Sequence, residues 1–239
     1  VVHATAGFAA LASALYVGKR TVASDGTHNI PYIALGAGLL WFGWYGFNAG
    51  SELQVNTVTV SAFVTTDIAA AFAAVTWFVI EKIRTGKPKL VGFLTGAVAG
   101  LATITPAAGY VSIQSAALIG IIASFVCYFV VLLVRRYLDD ALDVFGVHGV
   151  GGITGSILVG VFASATWNAN GPDGLLEGNG MQIIKQITAV VFTSVWSFIF
   201  TLAILWLINK FTVVKVDQNK VGGELDNTLF GEDAYSEKN

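Results

Sequence analysis

The stretch that decides the fold is residues 90–134, LVGFLTGAVAGLATITPAAGYVSIQSAALIGIIASFVCYFVVLLV. It contains no Asp, Glu, Lys or Arg. A membrane-spanning helix needs about 20 apolar residues, so this stretch is long enough for two such helices. The segment TPAAG at residues 105–109 is a turn signal near its middle. The stretch therefore predicts two spanning helices that are joined at this turn.

The composition of the whole chain agrees with a membrane protein. The chain has 239 residues, of which 55% are hydrophobic and 12% are charged, and its mean hydropathy is +0.71. Soluble domains average about 25% charged residues, so the composition argues against a water-soluble enzyme, and it excludes a disordered chain. The net charge is −2 and there is no basic stripe, which excludes a nucleic-acid binder. We predict a polytopic protein of the lipid bilayer with no enzymatic activity, metal or cofactor.

Further apolar runs bring the predicted number of spans to seven. The run at residues 53–80 is interrupted only by Asp67, and the others have no charged residue. These runs are residues 1–18, 27–51, 53–80, 144–172 and 186–209. The chain starts with Val1, inside an apolar run and without an initiator methionine, so we expect further sequence upstream.

The distribution of Lys and Arg predicts the orientation. Twelve of these residues lie in alternate connections on one side, and only Lys185 lies on the other side. Because basic residues are enriched in cytoplasmic loops, the C-terminus is predicted to be cytoplasmic. We divide the chain into a transmembrane domain, residues 1–209, and a cytoplasmic tail, residues 210–239.

Two histidines are candidates for chemistry within the spans. His148 lies at the start of the sixth span, and an ionisable residue within a span is a functional hypothesis by default. A neutral imidazole both donates and accepts a hydrogen bond, so His148 could line a conducting path without a fixed charge. The alternative is a structural hydrogen bond to a neighbouring helix. His3 precedes Lys19 by sixteen residues, about 24 Å of helix, and could also lie within the membrane.

The second predicted span ends in an aromatic segment, WFGWYGFNAGS at residues 41–51. Trp44, Phe47 and Ser51 are spaced by three and four residues, so they share one helix face. The aromatic rings could form an interfacial belt or a cation–π site at a pore mouth. The residues alone leave both interpretations open.

Four carboxylates need an explanation in such an apolar chain. Asp67 lies within the third span and is either near the outer interface, paired or protonated, since an unpaired carboxylate is costly in the membrane. Asp139, Asp140 and Asp143 precede the sixth span, where the helix dipole favours negative charge. We predict that all three cap the start of that helix.

Several segments together resemble the Amt branch of the Amt/Mep/Rh family of ammonium transporters. They are residues 41–51, 86–88, 104–110, 139–152, 224–226 and 231–235, in the order of the family. The resemblance implies an all-α membrane helix bundle of eleven spans that forms a homotrimer, with a pore through each subunit. The chain corresponds to most of span five and to spans six to eleven, so seven of the eleven spans are present.

The resemblance also implies a role for each candidate residue. His3 and His148 match the twin pore histidines and would relay protons. Phe47 matches one of two gate phenylalanines, Trp44 an aromatic residue that lines the pore, and Ser51 the hydroxyl at the outer ammonium site. Their partners in the family would lie upstream of Val1, so we do not expect this stretch alone to form a complete pore.

The function implied is transport of ammonium through a hydrophobic pore in the cell membrane. Ammonium would be recruited at the outer site and deprotonated, and the proton would cross separately, which makes transport electrogenic. An ammonium sensor and an Rh-type neutral ammonia channel remain as alternatives. A trimeric PII-type signal protein is a possible cytoplasmic partner. The tail departs from the common pattern at Glu224 and Phe230, and Thr228 aligns with a threonine that is phosphorylated in plant relatives.

Overall fold

The computed structural model describes residues 1–19, 27, 29–216 and 229–232, and within them all regular elements are helical. The seven α-helices are α1 (Val2–Val17), α2 (Ile30–Asn48), α3 (Thr57–Thr85), α4 (Leu90–Ile104), α5 (Ile113–Tyr137), α6 (Val150–Phe162) and α7 (Met181–Ile208). Single 3-10 turns lie at Gly50–Glu52 and Leu175–Glu177, and a π turn, Phe145–Gly149, leads into α6. Five of the helical segments are long and apolar enough to cross a bilayer, while α1 and α4 are apolar but shorter. The predicted all-α membrane architecture is confirmed.

The helix boundaries follow the predicted spans with two differences. The 90–134 run divides as expected, because α4 ends at Ile104 and α5 begins at Ile113. The 144–172 run is helical only to Phe162, since polar side chains in the segment that follows accept hydrogen bonds from its backbone. There the backbone N–H of Ala165 donates to Asp173 at 2.8 Å. The last helix begins at Met181, so Lys185 lies within it.

The centre of the bundle is the close packing of α4 against α3. The glycines of α4 lie on the contact face, where a Cβ on Gly96 would lie 2.5 Å from the Cβ of Trp77. A Cβ on Gly100 would lie 2.6 Å from the carbonyl oxygen of Ala69. Small residues allow helices to approach closely where apolar burial gives no net driving force. This packing fixes the position of the C-terminal end of α4, which adjoins the candidate site.

A second close contact places α1 on the π turn. A Cβ on Gly7 would lie 2.1 Å from the Cα of Gly149, and a Cβ on Gly152 would lie 2.8 Å from the Cβ of His3. The hydroxyl of Ser197 on α7 donates to the carbonyl of Thr5 at 2.7 Å. The first turn of α1 is therefore held against the π turn and α6.

The helix α2 is thinly packed within the described part of the chain. Trp44 is its one buried residue. A Cβ added at Gly36, Gly38, Gly43 or Gly46 would meet no atom within 4 Å. Within the described residues, the contacts of α2 are therefore concentrated near its C-terminal end.

Candidate functional site

The two predicted histidines meet in the interior, although 145 positions separate them in the sequence. His3, 7% exposed, lies in the first turn of α1, and His148 lies in the π turn. Their Nδ1 atoms are 3.2 Å apart, and their ring centroids are 5.3 Å apart with planes inclined by 27°. Single π turns within helices are frequent at functional sites. The packing of Gly7 and Gly152 described above sets this separation.

Thr105, just after α4, is the polar centre of the site. Its hydroxyl oxygen lies 2.7 Å from the carbonyl oxygen of Leu101, 2.9 Å from Nε1 of Trp44 and 3.2 Å from Nε2 of His3. The indole N–H can only donate, so Thr105 accepts from Trp44. Sequence reasoning missed Thr105 as a site residue. Its position in the TPAAG turn was the available signal, but this segment was interpreted only as a turn and as part of the family resemblance.

This network assigns the tautomers of both histidines. The single hydroxyl hydrogen of Thr105 goes to the Leu101 carbonyl, so Nε2 of His3 carries a hydrogen and donates to Thr105. In the neutral ring, Nδ1 of His3 is then an acceptor, and the hydrogen between the two rings belongs to Nδ1 of His148. The ring nitrogen Nε2 of His148 is left without a hydrogen. The network thus has a defined direction from His148 through His3 to Thr105.

Two aromatic side chains of α2 complete the cluster of rings. Trp44 stacks on His3 with centroids 5.2 Å apart and an interplanar angle of 12°, and its centroid lies 6.3 Å from that of His148. Phe47 presents an edge to His3 at 5.8 Å and to Trp44 at 5.9 Å. Phe47 is 41% exposed, whereas Trp44 is buried. The cluster therefore has an apolar, aromatic wall with one partly open side.

Ser51 lies outside this cluster. It belongs to the 3-10 turn that follows α2, is exposed, and donates its hydroxyl hydrogen to the carbonyl of Phe47 at 2.5 Å. The structure thus brings together His3, His148, Trp44 and Phe47, and places Ser51 beyond them at the end of the helix.

Two of the carboxylates before α6 have different partners. Asp140 accepts hydrogen bonds from the backbone N–H groups of Val144 at 3.0 Å and Phe145 at 2.7 Å, at the entry to the π turn. Asp143, predicted to cap the same helix, instead directs its carboxylate to Arg135 on α5, with Nε 2.8 Å from Oδ1 and a second contact from the other guanidinium nitrogen. Its backbone has a φ of 55°, in the left-handed region. Asp143 thus ties the turn before α6 to α5.

With this geometry established, comparison with known proteins identifies the family. The model of the Ammonium Transporter Family matches residues 1–235. The chain belongs to the Ammonium Transporter Family. The resemblance inferred from the sequence is thereby confirmed.

Individual relatives agree with this assignment. The chain is 47% identical over 238 residues to the ammonium transporter of Aquifex aeolicus, in an alignment that covers 99% of this chain and 56% of that one. It is 41% identical over 240 residues to the ammonium transporter Amt1 of Archaeoglobus fulgidus, in an alignment that covers 99% of this chain and 61% of that one. Among solved structures, Mep2 of Candida albicans superposes with a TM-score of 0.85 at 36% identity, over 92% of this chain and 51% of that one. A protein described as a sensor Amt protein superposes with a TM-score of 0.80 at 29% identity, over 92% of this chain and 56% of that one. The chain spans about half the length of the family members it matches.

The predicted division at residue 209 remains a prediction. The helix α7 ends at Ile208, and most of residues 210–239 lie outside the described part of the chain. The tail positions Glu224 and Thr228 are among those outside it, and Phe230 is described and exposed.

Proposed function

We propose that this protein transports ammonium across the cell membrane through the site around His3 and His148. The observation that carries the proposal is the pair of imidazoles joined by a hydrogen bond inside a wall of aromatic rings. Membership of the Ammonium Transporter Family supports the choice of substrate.

The physical problem for such a pore is the charge of ammonium. Moving a small ion into a low-dielectric interior costs about 20 kcal/mol by the idealised Born estimate. A site lined by Trp44, Phe47 and two neutral histidines does not compensate a cost of this size. Ammonium therefore gives up its proton before the narrow part of the pore, and ammonia crosses as a neutral molecule.

The proton would cross separately along the two rings. Nε2 of His148 can accept a proton, the hydrogen on its Nδ1 can shift to Nδ1 of His3, and Nε2 of His3 can release its own hydrogen. One passage reverses both tautomers, so both rings must return to their original tautomers before a second proton follows in the same direction. Net transfer of one charge with each ammonia makes transport electrogenic. A potassium ion has no proton to release, so the same step excludes it.

Recruitment is proposed at the exposed side of the ring cluster. Trp44 and Phe47 provide aromatic faces, which attract cations. The hydroxyl of Ser51 lies next to the carbonyl of Phe47, at the end of α2 that the distribution of basic residues places outside the cell. Ser51 would supply a polar contact to the arriving ion.

The family resemblance supports three proposals about assembly and partners. The protein would form a homotrimer, it would have a cytoplasmic C-terminus, and it would bind a PII-type signal protein at its cytoplasmic face. The asymmetry of Lys and Arg supports the orientation. We assign it no enzymatic activity.

An ammonium sensor is the second candidate function. The structural similarity to a protein described as a sensor Amt protein favours it. A sensor would bind ammonium without a sustained current, and an Rh-type neutral channel would conduct ammonia without moving charge. Current and ammonia flux therefore separate the three candidates.

The test is an ammonium concentration jump on proteoliposomes that hold the natural full-length product, with a potassium jump as control. We expect a transient current with ammonium and none with potassium. His148→Ala should abolish that current, or remove its selectivity, in a variant that still unfolds cooperatively on heating. An unchanged, selective current in this variant would refute the proton relay. Flux without current would establish the neutral channel, and binding without flux would establish the sensor.

A further inference from the structure

One ionisable residue within the spans is not used by the proposed mechanism. Asp67 lies ten residues into α3, about 15 Å along the helix, and is half-buried. The hydroxyl of Tyr45 on α2 donates to its Oδ1 at 2.5 Å. A carboxylate at this depth is costly, and such residues usually serve a function. Neither the twin histidines nor the ring cluster accounts for it.

The side chain of Tyr45 is fixed at two points on α3. Its ring stacks on Phe63 with centroids 4.1 Å apart and planes inclined by 24°. Its hydroxyl reaches Asp67, one helical turn further along the same surface. Three residues after Tyr45, the amide of Asn48 donates to the hydroxyl of Thr66 at 2.9 Å. The outer end of α2 is therefore attached to α3 by two adjacent polar contacts.

These contacts matter because, within the described residues, the contacts of α2 are concentrated near its C-terminal end. Within the described residues, Trp44 is its one buried residue and packs with Leu101 and Ala102 of α4, whereas a Cβ on the glycines along the rest of the helix would meet no atom within 4 Å. Without extensive packing, interhelical hydrogen bonds set how two membrane helices lie against each other. Trp44 directly precedes Tyr45, so any rotation or withdrawal of α2 at Tyr45 moves the indole as well.

We propose that Tyr45 and Asp67 are positioning residues for the ammonium site. They hold α2 at the rotation where the indole of Trp44 stacks on His3 and donates to Thr105. The effect of the pair on ammonium recruitment rests on the function proposed above, whereas its effect on Trp44 does not. The carboxylate acts here as a hydrogen-bond acceptor, since Tyr45 is the donor that reaches it.

The first experiment observes Trp44 directly. The ¹⁵N–¹H signal of its indole is recorded by solid-state NMR in bilayers and assigned by its loss in Trp44→Phe. Tyr45→Phe and Asp67→Ala should shift or broaden this signal, because each substitution removes the hydrogen bond between Tyr45 and Asp67. Asp67→Asn should retain it, because the amide oxygen accepts the same hydrogen bond. Tyr32→Phe is the matched control, since Tyr32 lies at the other end of α2 and is 63% exposed.

The second experiment measures transport by the same variants in the full-length product. Tyr45→Phe and Asp67→Ala should raise the KM for ammonium about three- to tenfold, the factor that one weakened hydrogen bond produces. The maximal rate should stay within about twofold of the parent, because the histidine pair is untouched. Asp67→Asn should restore the parental KM.

Two outcomes would overturn the proposal. One is an indole signal that is unchanged in both Tyr45→Phe and Asp67→Ala. The other is an Asp67→Asn variant that is as impaired as Asp67→Ala, which would show that the charge is required instead of the hydrogen bond. A shifted indole signal in a protein without ammonium transport would sustain the positioning of Trp44 while refuting the proposed function.

Discussion

Replacing Gly7 by alanine should separate the two histidines. A Cβ at Gly7 would lie 2.1 Å from Cα and 2.2 Å from N of Gly149, and both are backbone atoms that cannot rotate away. A Cβ contacts such atoms at no less than about 3.0 Å, so α1 must withdraw from the π turn by about 0.9 Å. Because Gly7 lies one helical turn after His3, the withdrawal acts directly on the histidine pair.

The expected magnitude follows from this displacement. A withdrawal of about 0.9 Å takes the Nδ1 atoms of His3 and His148 from 3.2 Å to about 4 Å, beyond hydrogen-bond range. Overpacking of this kind costs about 1–3 kcal/mol. Gly7→Ala should therefore lower the midpoint of thermal unfolding in detergent. It should also abolish the ¹⁵N coupling or contact signal between the two imidazoles in NMR spectra.

The matched control is Gly36→Ala. Gly36 also lies within a helix, but a Cβ there meets no atom within 4 Å. This control should be neutral or gain up to about 1 kcal/mol, because alanine is the better helix former. If Gly7→Ala unfolds at the same temperature as Gly36→Ala and retains the imidazole signal, the reasoning from the close contact is refuted.

Two further substitutions test the groups that support the site. Thr105→Val leaves two N–H donors without their acceptor and should destabilise the protein by about 1–3 kcal/mol for each, as measured by thermal unfolding. Thr95→Val is its control, since among the described residues that hydroxyl bonds only to a carbonyl of its own helix. Equal losses in the two variants would contradict the role of Thr105. Asp140→Ala should cost about 0.5–2 kcal/mol and speed amide hydrogen exchange at Val144 and Phe145, whereas Asp140→Asn, with one acceptor oxygen in place of two, should keep only one of these amides protected. Unaltered exchange in Asp140→Ala would show that the carboxylate does not support the π turn.

The sequence predicts the number of helices well, because the bilayer leaves few alternatives. A run without charge must satisfy its backbone hydrogen bonds internally, so residues 90–134 could only form helices on either side of the TPAAG turn. The end of the sixth helix was missed for a related reason. Residues 163–172 have no charge, yet their Ser and Asn side chains bond to the local backbone and stop the helix at Phe162.

The candidate site could be predicted less completely than the helices from the sequence alone. No local spacing connects His3 with His148, so only the family resemblance linked them before the structure was known. Thr105 and Asp67 depend on which helices are neighbours and on their relative rotation. The periodicity of a sequence indicates which residues share a face of one helix. It does not indicate which helix that face contacts or how the two helices are rotated, so the contacts of Thr105 and Asp67 could not be predicted.

Because of the π turn, the orientation of His148 depends on the number of residues in this segment. The N–H of Val150 bonds to the carbonyl of Phe145, five residues earlier, so this turn holds one residue more than an α-turn. Each residue in a helix corresponds to about 100° of rotation. Removing one residue between Asp140 and Val150 would regularise the helix and turn His148 away from His3, and no choice of side chain at position 148 would compensate. In this segment, tolerance to substitution and tolerance to deletion should therefore differ sharply, and natural variation should preserve the residue count more strictly than the residue types.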